Sequence, residues 1–276
     1  MTVRPSRAAA VLGLTLAAAV SASACGGSGP IDPALPLPEP SIAPGPGADL
    51  SAVPGLRMLL VPQGLDEGPL SEGALVPDIS GLNRDAVVAL PEGDSPELMV
   101  ESDSDLARQV LDFPAPCGDE DPCLRPILEV ADARSLNPGT RDFRVIATVR
   151  LDDSETATGS NIIQKGFSTG GSGQWKLQVD GEEGIPTCAV VQPGDDTIHL
   201  VEGSASLADG QWHDVECQRE DQRLTIFIDG EEQASIEIPD GIDLTTEFPI
   251  RVGGKNLDAN NDPFHGDIAQ VALIVR

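Results

Sequence analysis

The chain has 276 residues, 45 acidic against 17 basic, a formal net charge of −28 and only 3% aromatic residues with no tyrosine. A surface so acidic repels nucleic acid and anionic lipid, so neither is expected as a partner, while cations remain compatible with it. The plain reading of the charge is a solvated acidic surface that keeps the protein soluble.

Residues 1–24 read as a targeting segment. Arg4 and Arg7 supply the positive start, and Ala8–Val20 is an apolar run too short to span a membrane comfortably. Ala22-Ser23-Ala24-Cys25-Gly26 follows. It resembles a bacterial lipoprotein box, which implies that Cys25 is lipidated and becomes the mature N-terminus. Ala22 departs from the usual leucine there. The chain is therefore expected to be exported and held by lipid at the outer face of a bacterial cytoplasmic membrane or at the cell surface. Residues 25–55 read as a tether. Proline recurs at nearly every second or third position through Pro46 with little apolar periodicity, and such a segment stays extended.

Residues 56–276 are enough for one sizeable β domain. No long stretch has helical apolar spacing. Arg57–Val61 is an apolar first strand. Ser104–Phe113 admits a short helix with Ser104 as its N-cap. In 144–150, Val145, Ala147 and Val149 alternate with Arg144, Thr148 and Arg150, the period of a half-buried strand. Trp175 and Trp212, the residue type that often forms flat sugar platforms, both fall in strand patterns. The clearest run is 210–238. Val215 and Cys217 oppose Asp214, Glu216 and Gln218. Glu220-Asp221-Gln222 turns the chain. Leu224, Ile226 and Ile228 then alternate with polar positions, and Asp229-Gly230 is a hairpin signal before Ala234, Ile236 and Ile238.

The stretch Asp209-Gly210-Gln211-Trp212-His213, a strand, and then Leu-x-Ile-x-Ile-Asp-Gly resembles the centre of laminin G-like domains of the concanavalin A-like lectin/glucanase superfamily. Val76–Asn83, Val110–Phe113, Ile127–Val130, Ser135–Pro138, Asp142–Val149, Asn161–Gly166, Gln174–Val179, Thr187–Val191, Pro249–Gly254 and Phe264–Val271 resemble its other strands and turns. The likeness covers about 56–276, and it favours a strand over a helix at Ala107–Phe113. It implies an all-β fold, a two-sheet antiparallel sandwich of jelly-roll type. It does not fix function, because this fold hosts lectins, adhesion modules and glycosidases.

Setting Cys25 aside, Cys117, Cys123, Cys188 and Cys217 remain. An even number in an exported chain suggests two disulfides, one closing a small ring at Cys117 and Cys123, the other joining Cys188 and Cys217 on neighbouring strands. A zinc site from four thiolates is disfavoured by the spacing. His199, His213 and His265 sit in no catalytic motif, and His213 follows Trp212 at a position the family uses structurally. Glu92-Gly93-Asp94-Ser95-Pro96-Glu97 has the ExDxxE spacing of glucanases on this fold, but proline and glycine make it a polar turn. Asp258, Asn260 and Asp262 cluster oxygens in one loop and are the best candidates for a calcium ion of the kind laminin G-like domains often bind; Asp152-Asp153 and Asp195-Asp196 are further acidic pairs. The leading expectation is a non-enzymatic surface module that binds a glycan or an envelope or extracellular protein. A glucanase-like enzyme or a purely structural envelope protein are the alternatives.

Overall fold

The computed structural model describes residues 45–93, 95–117 and 124–276. Among the described residues, seventeen strands follow in chain order. These are β1 (Leu56–Leu60), β2 (Gly68–Pro69), β3 (Leu75–Val76), β4 (Ala86–Ala89), β5 (Met99–Asp103), β6 (Arg108–Phe113), β7 (Ile127–Val130), β8 (Phe143–Arg150) and β9 (Ala157–Gly166). After them come β10 (Gln174–Gly181), β11 (Ile185–Val191), β12 (His199–Glu202), β13 (His213–Glu220), β14 (Arg223–Ile228), β15 (Glu231–Glu237), β16 (Ile250–Val252) and β17 (Gly266–Val275).

They form two antiparallel sheets packed as a sandwich. The nine-stranded sheet runs β15-β14-β13-β8-β17-β6-β5-β2, with β1 also paired to β17. The eight-stranded sheet runs β12-β11-β10-β9-β16-β7-β4-β3. Alternation decides which side chains enter the core. Val145, Ala147 and Val149 of β8, Val215 and Cys217 of β13, and Trp175, Leu177 and Val179 of β10 all meet in one buried cluster. The expected hairpin forms at Asp229-Gly230, where both residues have positive φ (51° and 78°), the backbone of a type I′ turn.

The position Ile146 breaks the alternation of β8, being apolar on the outward face. Leu50 explains it. Leu50 is buried against Ile146, Leu59, Ala272 and Ile274, so the segment ahead of β1 straps across this face. The Gly47 N–H donates to Asp214 Oδ1 at 3.0 Å, and Gln270 Nε2 donates to the Ala48 carbonyl at 3.0 Å. The chain is therefore docked from Gly47 onward, eight residues before the sequence reading ends its tether at 55. A single buried leucine in a proline-rich run gives too little periodicity to be noticed.

Three further details bear on the sequence reading. Cys188 lies in β11 and Cys217 in β13, and they are disulfide-bonded. The bond thus joins the two sheets, not neighbouring strands of one sheet, because both side chains point into the core. The 104–113 stretch holds the strand β6 and no helix; Ala107 takes φ 52° and stays outside it. Asp78, in the turn Asp78-Ile79-Ser80-Gly81, is buried and accepts hydrogen bonds from the N–H groups of Leu59, Ser80 and Arg84 and from the Ser80 hydroxyl, which ties the turn to β1.

Candidate functional site

The outward face of the eight-stranded sheet is built from the polar half of each alternating strand. In β10 the sequence Gln174-Trp175-Lys176-Leu177-Gln178-Val179 sends tryptophan, leucine and valine into the core. Gln174, Lys176 and Gln178 are left on the other side. Strand register then fixes their neighbours. Lys176 lies opposite Gln164 of β9 and Ala189 of β11. Gln164 lies opposite Arg251 of β16, and Arg251 opposite Glu129 of β7. One row of the sheet therefore carries Ala189, Lys176, Gln164, Arg251 and Glu129 side by side.

The next row is Thr187, Gln178 and Asn161, again matched by register. All three side chains are buried, and Thr187 Oγ1, Gln178 Oε1 and both side-chain heteroatoms of Asn161 have no hydrogen-bond partner. A buried polar atom left unpaired costs on the order of 1–3 kcal/mol. Adjacent unpaired donors and acceptors on one face are therefore a feature that calls for a ligand or a solvent partner.

An aromatic pair flanks the first row. Phe167 follows β9 and Phe248 precedes β16; their rings meet edge-on with centroids 5.1 Å apart. The Arg251 guanidinium stands 5.6 Å from the Phe167 ring centre and pairs with Glu129 at 2.7 Å. Phe248 is 37% exposed. Trp175 and Trp212 do not serve as platforms: they are 0% and 8% exposed, Trp175 within the core and Trp212 beneath the Arg150 guanidinium. Sequence reading missed the phenylalanines because they sit just outside strand patterns and meet only through the β9–β16 pairing.

The three candidate calcium ligands do not converge. Lys255 Nζ donates to Asp262 Oδ2 at 2.8 Å and to Asn260 Oδ1 at 3.2 Å, so an ammonium already stands between those oxygens. The Asp258 N–H is turned to Asn256 Oδ1, and Asp258 itself is exposed. With a cation of its own in the loop, this donor set does not fit a calcium cage of six to eight oxygens. Among the described residues no group of three or more His, Cys, Asp or Glu side chains is placed to hold a metal. Asp152 caps a short 3-10 turn through the Ser154 N–H, and Asp195 accepts from the Thr197 N–H. Both are local turn contacts.

Of the remaining candidates, Cys25 and Cys123 lie outside the described residues, and Cys117 is disulfide-bonded. Glu92 and Glu97 are exposed and belong to no strand. His213 is held between Asp229 (Nδ1, 2.8 Å) and Asp209 (Nε2, 3.1 Å), with no nucleophile bonded to it. Burial acts against its charged form, but hydrogen bonds and charge from the two carboxylates more than offset this and raise its pKa. The His265 Nδ1–H donates to the Pro114 carbonyl at 2.6 Å, and burial lowers its pKa.

The outward face of the nine-stranded sheet holds a carboxylate pair that the sequence does not bring together. Asp112 of β6 lies opposite Asp267 of β17. Burial, and then the charges of Asp267, Glu101 and Glu155, push Asp112 up to about 6. Arg150 engages Asp267 and Asp103, both at 2.7 Å.

Residues 128–276 match the family model described as the concanavalin A-like lectin/glucanases superfamily, in its laminin G group. No curated protein matches the chain. Among solved structures, the binding domain of botulinum neurotoxin DC in complex with SialylT is 13% identical over 82% of this chain and 48% of its own, with a TM-score of 0.54. Botulinum neurotoxin type C, whose cell entry depends on two ganglioside molecules, gives 12% identity over 80% and 47%, with a TM-score of 0.53. The binding domain of Paraclostridial Mosquitocidal Protein 1 gives 15% over 79% and 49%, with a TM-score of 0.50. This chain spans about half the length of each, and at such identity the likeness is one of fold.

Proposed function

The chain belongs to the concanavalin A-like lectin/glucanase superfamily, and on that premise we propose that it is an exported, non-enzymatic binding module that recognises a glycan on the outward face of its eight-stranded sheet. The observation that carries this reading is the exposed Phe248, packed edge-on against Phe167 beside the polar row of Lys176, Gln164 and Arg251 on that face. Sugar hydroxyls are both donors and acceptors and pair with polar side chains such as those of that row. Phe248 and Phe167 offer the apolar surface a sugar ring packs on. The similar toxin domains, described with SialylT and gangliosides, lean the same way, although one of them is also described with synaptotagmin II. A protein ligand is therefore the outcome to expect if no glycan binds.

Lipidation at Cys25 would hold the module at the outer membrane face, with the residues before Gly47 as its spacer. The Cys188–Cys217 bond suits an oxidising compartment. A Cys25→Ser protein should leave the membrane fraction; retention there would sink the anchor.

Full-length protein run through gels containing a panel of polysaccharides, with calcium and then with a chelator, tests the binding. We expect retardation by at least one polysaccharide, unchanged by chelation because Lys255 stands among the candidate calcium ligands. Loss on chelation would restore a calcium role. A second reading, glycan hydrolysis, draws on Asp112, a carboxyl pushed up to about 6 by burial and neighbouring carboxylates, beside the Arg150-bound Asp267. Sugar release from a bound polysaccharide, abolished by Asp112→Asn, would favour it.

A further inference from the structure

The whole chain has three lysines, Lys165, Lys176 and Lys255. Lys165 is buried and ion-paired with Asp132 at 2.7 Å, and Lys255 with Asp262 at 2.8 Å. Lys176 differs. It is half-buried within the eight-stranded sheet, on the outward face, and among the described residues its ammonium has neither a hydrogen bond nor an ion pair. Its direct neighbours across the ladder are the neutral Ala189 and Gln164. Gln178, two residues on, shares its face and begins the row of unpaired polar atoms.

A half-buried ammonium without a partner is costly. Burial lowers its pKa; Asp262 and Asp180 partly support the charge from a distance, and Lys255 opposes it. In a chain with 45 carboxylates, a cation of this face with no carboxylate in contact among the described residues is conspicuous. Arg251, on the same row, is taken by Glu129.

We propose that Lys176 receives the carboxylate of an acidic sugar bound on the outward face of the eight-stranded sheet. This rests on the glycan reading above and narrows it to carboxylated saccharides. The net charge disfavours long polyanions at a distance. A short acidic sugar feels mainly the local field, because screening acts within about 8 Å at physiological salt.

The test compares galacturonate trisaccharide with galactotriose, which differ in the carboxylates, by titration calorimetry on the full chain. A charge-assisted hydrogen bond predicts at least a ten-fold preference for the acidic sugar. Lys176→Met, which keeps the aliphatic stem, should bring both sugars to the same affinity, and its thermal melt reports whether it is folded. A preference that survives Lys176→Met overturns the assignment. Equal binding of the two sugars by the native protein overturns the inference and leaves the glycan reading standing. If neither sugar binds although a neutral polysaccharide retards the protein, the inference fails alone; if nothing retards it, the glycan reading fails with it. Should Lys176→Met not fold, three lysines still allow a direct readout. With lysine labelled at Cε, the acidic sugar should shift the Lys176 signal and galactotriose should not; an unmoved Lys176 signal under bound acidic sugar contradicts the proposal.

Discussion

Cys188 and Cys217, 29 residues apart in sequence, are bonded across the sandwich with their Cα atoms 5.5 Å apart, so one covalent link holds the two sheets face to face. The bond closes a loop containing β12 and the Asp209–His213 turn. For a loop of that length the chain-entropy estimate is about 3–4 kcal/mol. We expect the Cys188→Ala/Cys217→Ala double variant to lose about that much in denaturant unfolding. Peptide mapping of the native protein should recover the two cysteines as one linked pair. A crossed pairing with Cys117 or Cys123 would contradict the strand placement.

Asp112 should make stability fall as pH rises. Its folded pKa, about 6, stands above the ordinary 3.8, so the native state holds a proton that the unfolded chain releases between those values. Stability is therefore lost as pH climbs from about 4 to 6. Full conversion of the shift would give about 3 kcal/mol; with the carboxyl half-exposed, solvent screening leaves roughly 1 kcal/mol. Asp112→Asn should raise the unfolding free energy at pH 7.5 by that amount and change little at pH 4. An unchanged stability at pH 7.5 would contradict the shift.

His213 acts in the same direction, at higher pH and by gaining rather than avoiding a charge. Its folded pKa is raised, so its contribution is fully present below the unfolded value near 6.5 and fades as pH rises through the folded one. His213→Gln should cost roughly 0.5–1 kcal/mol at pH 5.5 and less at pH 8.5, since Asp209 and Asp229 are solvent-exposed partners. An equal cost at both pH values would show that only packing was lost.

Leu50 tests the strap. Removing a buried leucine side chain costs about 2–5 kcal/mol in a core. At the edge of the small cluster with Ile146 and Ile274, the lower end applies. Leu50→Ala should lower stability by about 2 kcal/mol and expose the nearby backbone to hydrogen exchange. A neutral substitution would mean that the segment before β1 is not docked.

Much of the sandwich was legible because period-two alternation is a local property. Val145, Ala147 and Val149, or Leu224 and Ile226, declare their inward face from spacing alone, and Asp229-Gly230 declares its turn. What could not be read depends on partners far away in sequence. Cys188 and Cys217 pair as expected, yet the sequence cannot tell that β11 and β13 belong to different sheets. Lys255 stands between Asn260 and Asp262 only because the loop folds back on itself, so three oxygen-bearing residues at alternate positions read as a cation site when the chain supplies its own ammonium. The Asn161–Gln178–Thr187 row exists only once β9, β10 and β11 are in register. Its one local trace is the alternation of Gln174, Lys176 and Gln178 with apolar residues.

The most direct measurement is affinity electrophoresis of the full-length protein and its Phe248→Ala variant through the polysaccharide panel. The expected result is retardation of the native protein by at least one polysaccharide and at least ten-fold weaker retardation of the variant at unchanged thermal stability. Retardation that Phe248→Ala leaves intact would remove the aromatic edge from the binding face, and no retardation by any polysaccharide would contradict glycan recognition as the function of this sheet.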